Sequence, residues 1–340
     1  MKTLTSKILV SLFTLLTAIG AGAQNRYQTF PLGSGNNFGS VTALNDSGQV
    51  LGWWGTNGEA FIIVPGTGWT KNIVKTNGGV LQMNNAATII GQESPSNRAF
   101  SKLWGQPAQL ISIYSGVTAN AINTAGYIVG TASGEIPPKR QTWVYLMNPQ
   151  GSTTYIKFPH NSGPPWNEDG NGAEVTGLNN SNQIVGSWDD YSTPRSGFFY
   201  DGKKLNITFN MPGAVTTQPT AINDNEEVVG NWIDQNGVQH GFYWNPTAGF
   251  SNIDVTGDTA MGLVGINNSS VILGWWQDDN SPMLRHYVTL VNGQPTASIH
   301  VPNSLPGGMF ATAINNAGQV AGWYATQDYI FRGFLYTPSK

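Results

Sequence analysis

The chain has 340 residues, a formal net charge of −3, 10% charged residues and no cysteine. Sparse, balanced charge excludes a nucleic-acid surface, which needs clustered Lys and Arg. The missing cysteines exclude a disulfide framework, a thiol nucleophile and a lipoprotein anchor. Abundant Gly, Asn, Ser, Thr and Trp beside few helix formers fit many short strands joined by tight turns.

The first element is a leader. Lys2 and Lys7 bracket the start, an apolar run covers Ile8 to Ile19, and Ala21-Gly22-Ala23 precedes Gln24. That order is the one a secretory signal peptide uses, and the run is short for a membrane span. Residues 1–23 are therefore expected to be removed and residues 24–340 to form a single domain. The mature protein is expected to be extracellular or periplasmic, monomeric, without membrane insertion and without a nucleic-acid partner.

After the leader, one short box recurs seven times. Its copies place Asn at 45, 84, 123, 179, 223, 267 and 315, and Gly seven residues on at 52, 91, 130, 186, 230, 274 and 322. Each copy reads as the end of one strand, a turn in which Asn caps its own backbone, and the start of a second strand. The fourth turn residue is Gly48, Gly126 or Gly318 in three copies, suited to positive φ. Asn182 serves similarly, whereas Ala87, Glu226 and Ser270 fit that position less well.

A third strand follows each box, as in Ala60-Phe61-Ile62-Ile63, Gly241-Phe242-Tyr243-Trp244 and Gly333-Phe334-Leu335-Tyr336. A fourth follows six of the seven, at Lys71–Val74, Leu110–Ile113, Thr154–Phe158, Leu205–Phe209, Phe250–Val255 and Ala297–Val301. The seventh blade lacks one at its C-terminal side, but Tyr27-Gln28-Thr29-Phe30 at the other end matches the pattern. The mean Asn spacing of 45 residues suits a four-stranded propeller blade. The expected fold is therefore all-β: a seven-bladed β-propeller closed by the N-terminal strand pairing with the last blade, which removes the open edges of an unclosed array. A single barrel or sandwich would not need seven copies and a split one.

The pairing of an Ile-Asn-x-x-Gly-x-Val-x-Gly box with a downstream His-Ala-Phe-Leu-Trp box resembles the HAF-repeat family of bacterial extracellular proteins. The first box is clear in all seven copies. The second is degenerate, with His240-Gly241-Phe242-Tyr243-Trp244 nearest to it and Arg98, Arg285 or Arg332 standing in for the His elsewhere. The resemblance spans the mature chain and implies architecture and export. It implies no catalytic motif.

Alternation along each blade sends the Asn turns to one end of the ring. The loops between second and third strands, and those leading to the next blade, go to the other. This second end is irregular and is where loops place function. It carries Trp188-Asp189-Asp190, Arg195, Asp234, Trp275, Asp278 and Asp279, together with Trp166 in an insertion that stretches the third Asn spacing to 56 residues. Trp54, Trp188, Trp232, Trp276 and Tyr324 recur two places after the repeat Gly, and such strict repetition is better explained by packing between blades. Trp53, Trp166 and Trp275 stand outside that position and are better ligand candidates, since an indole beside Asn and Asp suits sugar faces. Converging Asp189, Asp190, Asp234, Asp278 and Asp279 could act as glycosidase carboxylates or, with backbone oxygens, hold Ca²⁺; solvated loop carboxylates are the plainer reading. His240 and His286 open equivalent strands of adjacent blades. With Arg195 or Arg285 and a Tyr such as Tyr191, they could form a uronate lyase site, although a remnant of the His box accounts for His240 more simply.

No Gly-x-Ser-x-Gly elbow, phosphate loop or paired-His metal motif is present. The sequence thus points to a secreted, non-catalytic propeller binding a polysaccharide or another surface macromolecule. A carbohydrate-active lyase or glycosidase and a protein-interaction scaffold stand as alternatives. The expected ligand residues are Trp53, Trp166, Trp188, Asp189, Asp190, Arg195, Asp234, Trp275, Asp278 and Asp279.

Overall fold

The computed structural model describes residues 26–32, 38–55, 58–66, 68–70, 74–75, 81–93, 96, 98–103, 105–113, 116–136, 139–158, 172–189, 194–255, 257–280 and 284–339, with backbone alone for 68–70, 133–136 and 139–142. The leader at 1–23, Trp166, Asp190 and Tyr191 lie outside these residues. Every regular element is a strand, and the strands form seven four-stranded antiparallel sheets, the blades of a β-propeller. Blade 5 is representative. Its strands, from the channel outward, are Thr216–Ile222, Val228–Ile233, Gln239–Asn245 and Gly249–Ile253, each hydrogen-bonded to the next.

The other inner strands are Gly39–Leu44, Gln82–Met83, Ala121–Ile122, Gly172–Leu178, Ala260–Ile266 and Ser304–Ile314. In blade 7 the second and third strands are Val320–Thr326 and Phe331–Tyr336, and Tyr27–Pro31 is the outer strand. Tyr27 pairs with Tyr336 and Pro31 with Arg332, and the Tyr27 hydroxyl accepts from the His300 amide at 2.9 Å. The ring therefore closes with the N-terminal strand, as the sequence predicts. Some outer strands are shorter than expected: Gln109–Leu110 and Leu205–Asn206 stand where Leu110–Ile113 and Leu205–Phe209 are expected. Residues 71–73 of the expected Lys71–Val74 strand lie outside the described residues, and the Val74 carbonyl accepts the Ala60 amide at 3.0 Å. An outermost strand has one bonded neighbour and little burial, so the apolar pattern that locates inner strands fades there.

Seven apolar clusters make the core, and each draws on two neighbouring blades. The sheets are buried on both faces, which is why their inner strands read as continuous apolar runs. The repeat Gly permits this packing. At Gly230 a Cβ would stand 2.4 Å from the Gln218 carbonyl oxygen and 2.6 Å from the Phe242 ring; at Gly186 it would stand 2.0 Å from the Glu174 carbonyl. Phe61, Phe198, Phe242 and Phe334, the cross-strand partners of Gly52, Gly186, Gly230 and Gly322, lay their rings across the vacated side.

Candidate functional site

Each Asn turn has one geometry. In blade 5 the Asn223 carboxamide oxygen accepts the amides of Asn225 (3.0 Å) and Glu227 (2.9 Å). The fourth residue is left-handed in all seven copies: Gly48, Ala87, Gly126, Asn182, Glu226, Ser270 and Gly318 have φ between 58° and 85°. Ala87, Glu226 and Ser270 thus adopt the conformation despite their poor fit, because the bonds made by the turn Asn over-determine it.

The turn Asn does more than cap. Its amide nitrogen donates to the carbonyl of the equivalent Asn in the next blade, from Asn45 to Asn84 and onward through Asn123, Asn179, Asn223, Asn267 and Asn315 back to Asn45. This closed belt is buried: the seven residues are 3–6% exposed. A second belt of following residues overlies it. Asp46 is gripped by Asn85 and Asn316, and Asp224 by Asn180 and Asn268; the belt is interrupted at Thr124, which has no carboxamide. Together the belts line a polar cavity of about 240 Å³ at this mouth of the channel. Sequence reasoning assigned these Asn residues to turn capping alone. The signal for the belt was present, since a cap needs only Asn, Asp, Ser or Thr, whereas all seven copies use Asn.

A third contribution comes from the residue three places before four of the seven Asn residues. Thr42, Thr176, Thr220 and Thr312 sit at a bulge of the inner strand and donate their hydroxyls to carbonyls of the second strand at 3.2–3.5 Å. At the same end, Glu227 takes the place of Gln49, Gln183 and Gln319 in other blades. Burial pushes its carboxyl up, but donors on Ser270, Tyr243, Asn223 and Asn225 outweigh that and hold it below its ordinary value.

The opposite, loop-rich end carries the residues singled out from sequence. In blade 4 the Trp188 indole donates to the Ile207 carbonyl (2.8 Å), and Arg195 bridges Glu174 (2.6 Å) and Asp189 (3.4 Å). In blade 5 Trp232 stacks on His240 with centroids 4.6 Å apart. His240 Nδ1 lies 3.0 Å from Asp254 and Nε2 lies 3.8 Å from Asp234. Asp234 also caps its own loop, accepting the Val238 and Asn236 amides, which hold its carboxyl below the usual range. Blade 6 repeats the pattern: Trp276 stacks on His286 at 4.4 Å, and His286 Nε2 is 3.8 Å from Asp278. Asp278 Oδ1 and His286 Nε2 are buried without hydrogen-bond partners. Asp279 is exposed on the same loop.

The indoles are not free platforms. Trp54, Trp188, Trp232 and Trp276 are half-buried against the interblade clusters and Tyr324 is buried in one, as strict repetition suggests. Trp275 lies over Gly262, where a Cβ would meet its ring at 2.3 Å, and it carries the Arg285 guanidinium 4.2 Å above its centroid. Trp53 is remote from this band. It belongs to blade 1 and packs beside Phe38 (5.5 Å). The structure thus gathers Trp188, Asp189, Arg195, Asp234, Trp275, Asp278 and Asp279 on three successive blades and places Trp53 elsewhere on the ring. Among the described residues, no three His, Cys, Asp or Glu side chains converge as a metal-binding group.

Neither a protein-family model nor a curated protein matches this chain. Solved structures do share its shape. Virginiamycin B lyase from Staphylococcus aureus superposes with a TM-score of 0.58 at 10% identity, covering 92% of this chain and 99% of that one. A streptogramin B lyase gives 0.57 at 12% identity, covering 92% and 98%. A prolyl endopeptidase gives 0.61 at 10% identity over 89% of this chain and 47% of its own. At such identities the likeness is one of fold.

Proposed function

We propose that the chain is a secreted, non-catalytic propeller that binds a polysaccharide or another surface macromolecule at its loop-rich end. The observation that carries this reading is the band on blades 4 to 6, where half-buried indoles adjoin Asp, His and Arg side chains. Indole edges beside hydrogen-bonding side chains suit sugar rings, which present apolar C–H faces and hydroxyl rims. We assign ligand contact to Trp188, Asp189, Arg195, Asp234, Trp275, Asp278 and Asp279, with Trp166 and Asp190, which lie outside the described residues, and with Trp53 as a separate contact. The leader and the resemblance to HAF-repeat proteins support an extracellular or periplasmic setting.

A second reading, a carbohydrate-active enzyme, rests on His240. An imidazole held at Nδ1 by Asp254 has its other nitrogen available for proton abstraction. One experiment separates the two. The purified protein is incubated with a panel of soluble polysaccharides, with and without Ca²⁺, following both retention and new chain ends. Retention without new ends supports the binding reading. New ends transfer the function to the His and Asp loops. Neither outcome on a broad panel overturns both and leaves a protein partner.

A further inference from the structure

The loop-rich end has an aromatic pole of its own, at the junction of blades 7 and 1. Phe38 precedes the inner strand of blade 1 and is 44% exposed. Its ring meets Phe331 at 4.9 Å and Trp323 at 5.7 Å, both edge-on, and Trp53 at 5.5 Å, tilted. Phe310 stacks beneath Trp323 at 4.3 Å. Beside Phe331, on the turn joining the second and third strands of blade 7, Tyr329 is 72% and Ile330 45% exposed.

Tyr329 is strained into view. The turn from Thr326 to Ile330 makes the same pair of backbone bonds as the Asn turns, from Thr326 N to Ile330 O and from Tyr329 N to Thr326 O. That geometry needs a left-handed fourth residue, and Tyr329 has φ 58°. The other non-glycine residues in this conformation among the described ones are Asn, Ala, Ser or Glu. Gly or Asn would be easier here. A bulky residue held at such a position and displayed to solvent points from strain to function.

We infer that Phe38, backed by Trp323 and Phe331, and Tyr329 on the adjoining turn form a stacking subsite for a pyranose ring of a polysaccharide. The inference rests on the binding function proposed above and supplies a second contact, on different blades from the acidic band. Size argues for this occupant. The three exposed side chains offer roughly 300 Å² at the scale of whole aromatic side chains, well short of the ~800 Å² that each side of a stable protein interface buries. Chemistry agrees, because the surface is aromatic and is fringed by Gln327 and Asp328 on the same turn, which can meet hydroxyls.

The test uses the purified protein and the polysaccharide that retains it best, in affinity electrophoresis. Phe38→Ala is expected to weaken retention at least tenfold. Tyr329→Asn, which relieves the turn while deleting the ring, is expected to weaken it several-fold with an undiminished melting temperature. Unchanged retention in both variants overturns the stacking subsite and leaves the binding function standing. Absence of wild-type retention on every polymer overturns both together.

Discussion

Asn223 offers the sharpest test of what holds the ring together. The residue is 3% exposed, and its side chain does two separable jobs. Its oxygen closes the turn through the amides of Asn225 and Glu227, and its nitrogen reaches the Asn267 carbonyl of the next blade at 2.9 Å. Asn223→Ala strands two amides, one carbonyl and the Glu227 carboxylate oxygen to which the Asn223 amide also donates. At about 1 kcal/mol per lost bond the cost is about 4 kcal/mol. An unfolding entropy of roughly 2.1 cal/mol/K per residue over a domain of this length makes that a fall of about 6 °C in melting temperature. Asn223→Asp is the more informative change. It keeps the acceptor oxygen and the turn, but it sets a carboxylate oxygen against the Asn267 carbonyl and the Glu227 carboxylate. If the belt matters, Asp is at least as damaging as Ala by thermal melting and urea unfolding. An Asp variant within about 0.5 kcal/mol of wild type would refute the belt and leave Asn223 a turn cap only.

Four further outcomes follow from the same geometry. Gly186→Ala, whose Cβ would stand 2.0 Å from the Glu174 carbonyl, is expected to lose 3 kcal/mol or more, at about the scale of a severe steric lesion. Gly237→Asn, at φ 82° with nothing within 4 Å, should stay within about 0.5 kcal/mol of wild type. Phe30→Ala removes a ring that fills the space over Gly333 in the closing strand and should cost about 3–4 kcal/mol, with hydrogen exchange rising first in residues 331–336. Glu227 carries a pH signature. Its folded pKa lies below the ordinary 4.5, so its contribution is present above the unfolded value and drains as pH falls through the folded one. Glu227→Gln should therefore flatten the acid limb of stability below about pH 4.5, and an unaltered limb would place the acid sensitivity elsewhere.

The fold was legible because each blade repeats the same three constraints. Asn must close the turn, Gly must let the second strand approach the inner one, and a large side chain must cover that Gly, Phe in five blades, Tyr145 in blade 3 and Val288 in blade 6. The first two constraints each fix one residue type at one place, so the spacing alone locates the strands and the closing segment. Outer strands escaped accurate placement for the converse reason. Leu205–Asn206 and Gln109–Leu110 have one bonded neighbour and partly exposed side chains, so many residue types satisfy them.

The candidate site was legible only as far as it departs from the repeat. Trp-x-Asp recurs in blades 4, 5 and 6 and is absent after Trp54 and Tyr324, and that departure located the acidic band. The stacking of Trp232 on His240 and of Trp276 on His286 could not be read, because those residues become neighbours only through strand register. The same holds more strongly for Phe38. It precedes its strand by one residue, matches nothing in the repeat, and gains its meaning from Phe331 and Trp323, which stand nearly 300 residues away in the chain and reach it only because the ring closes. Closure therefore does more than protect edges: it brings blade 7 against blade 1, so an opened ring would lose the aromatic pole while keeping the band on blades 4 to 6.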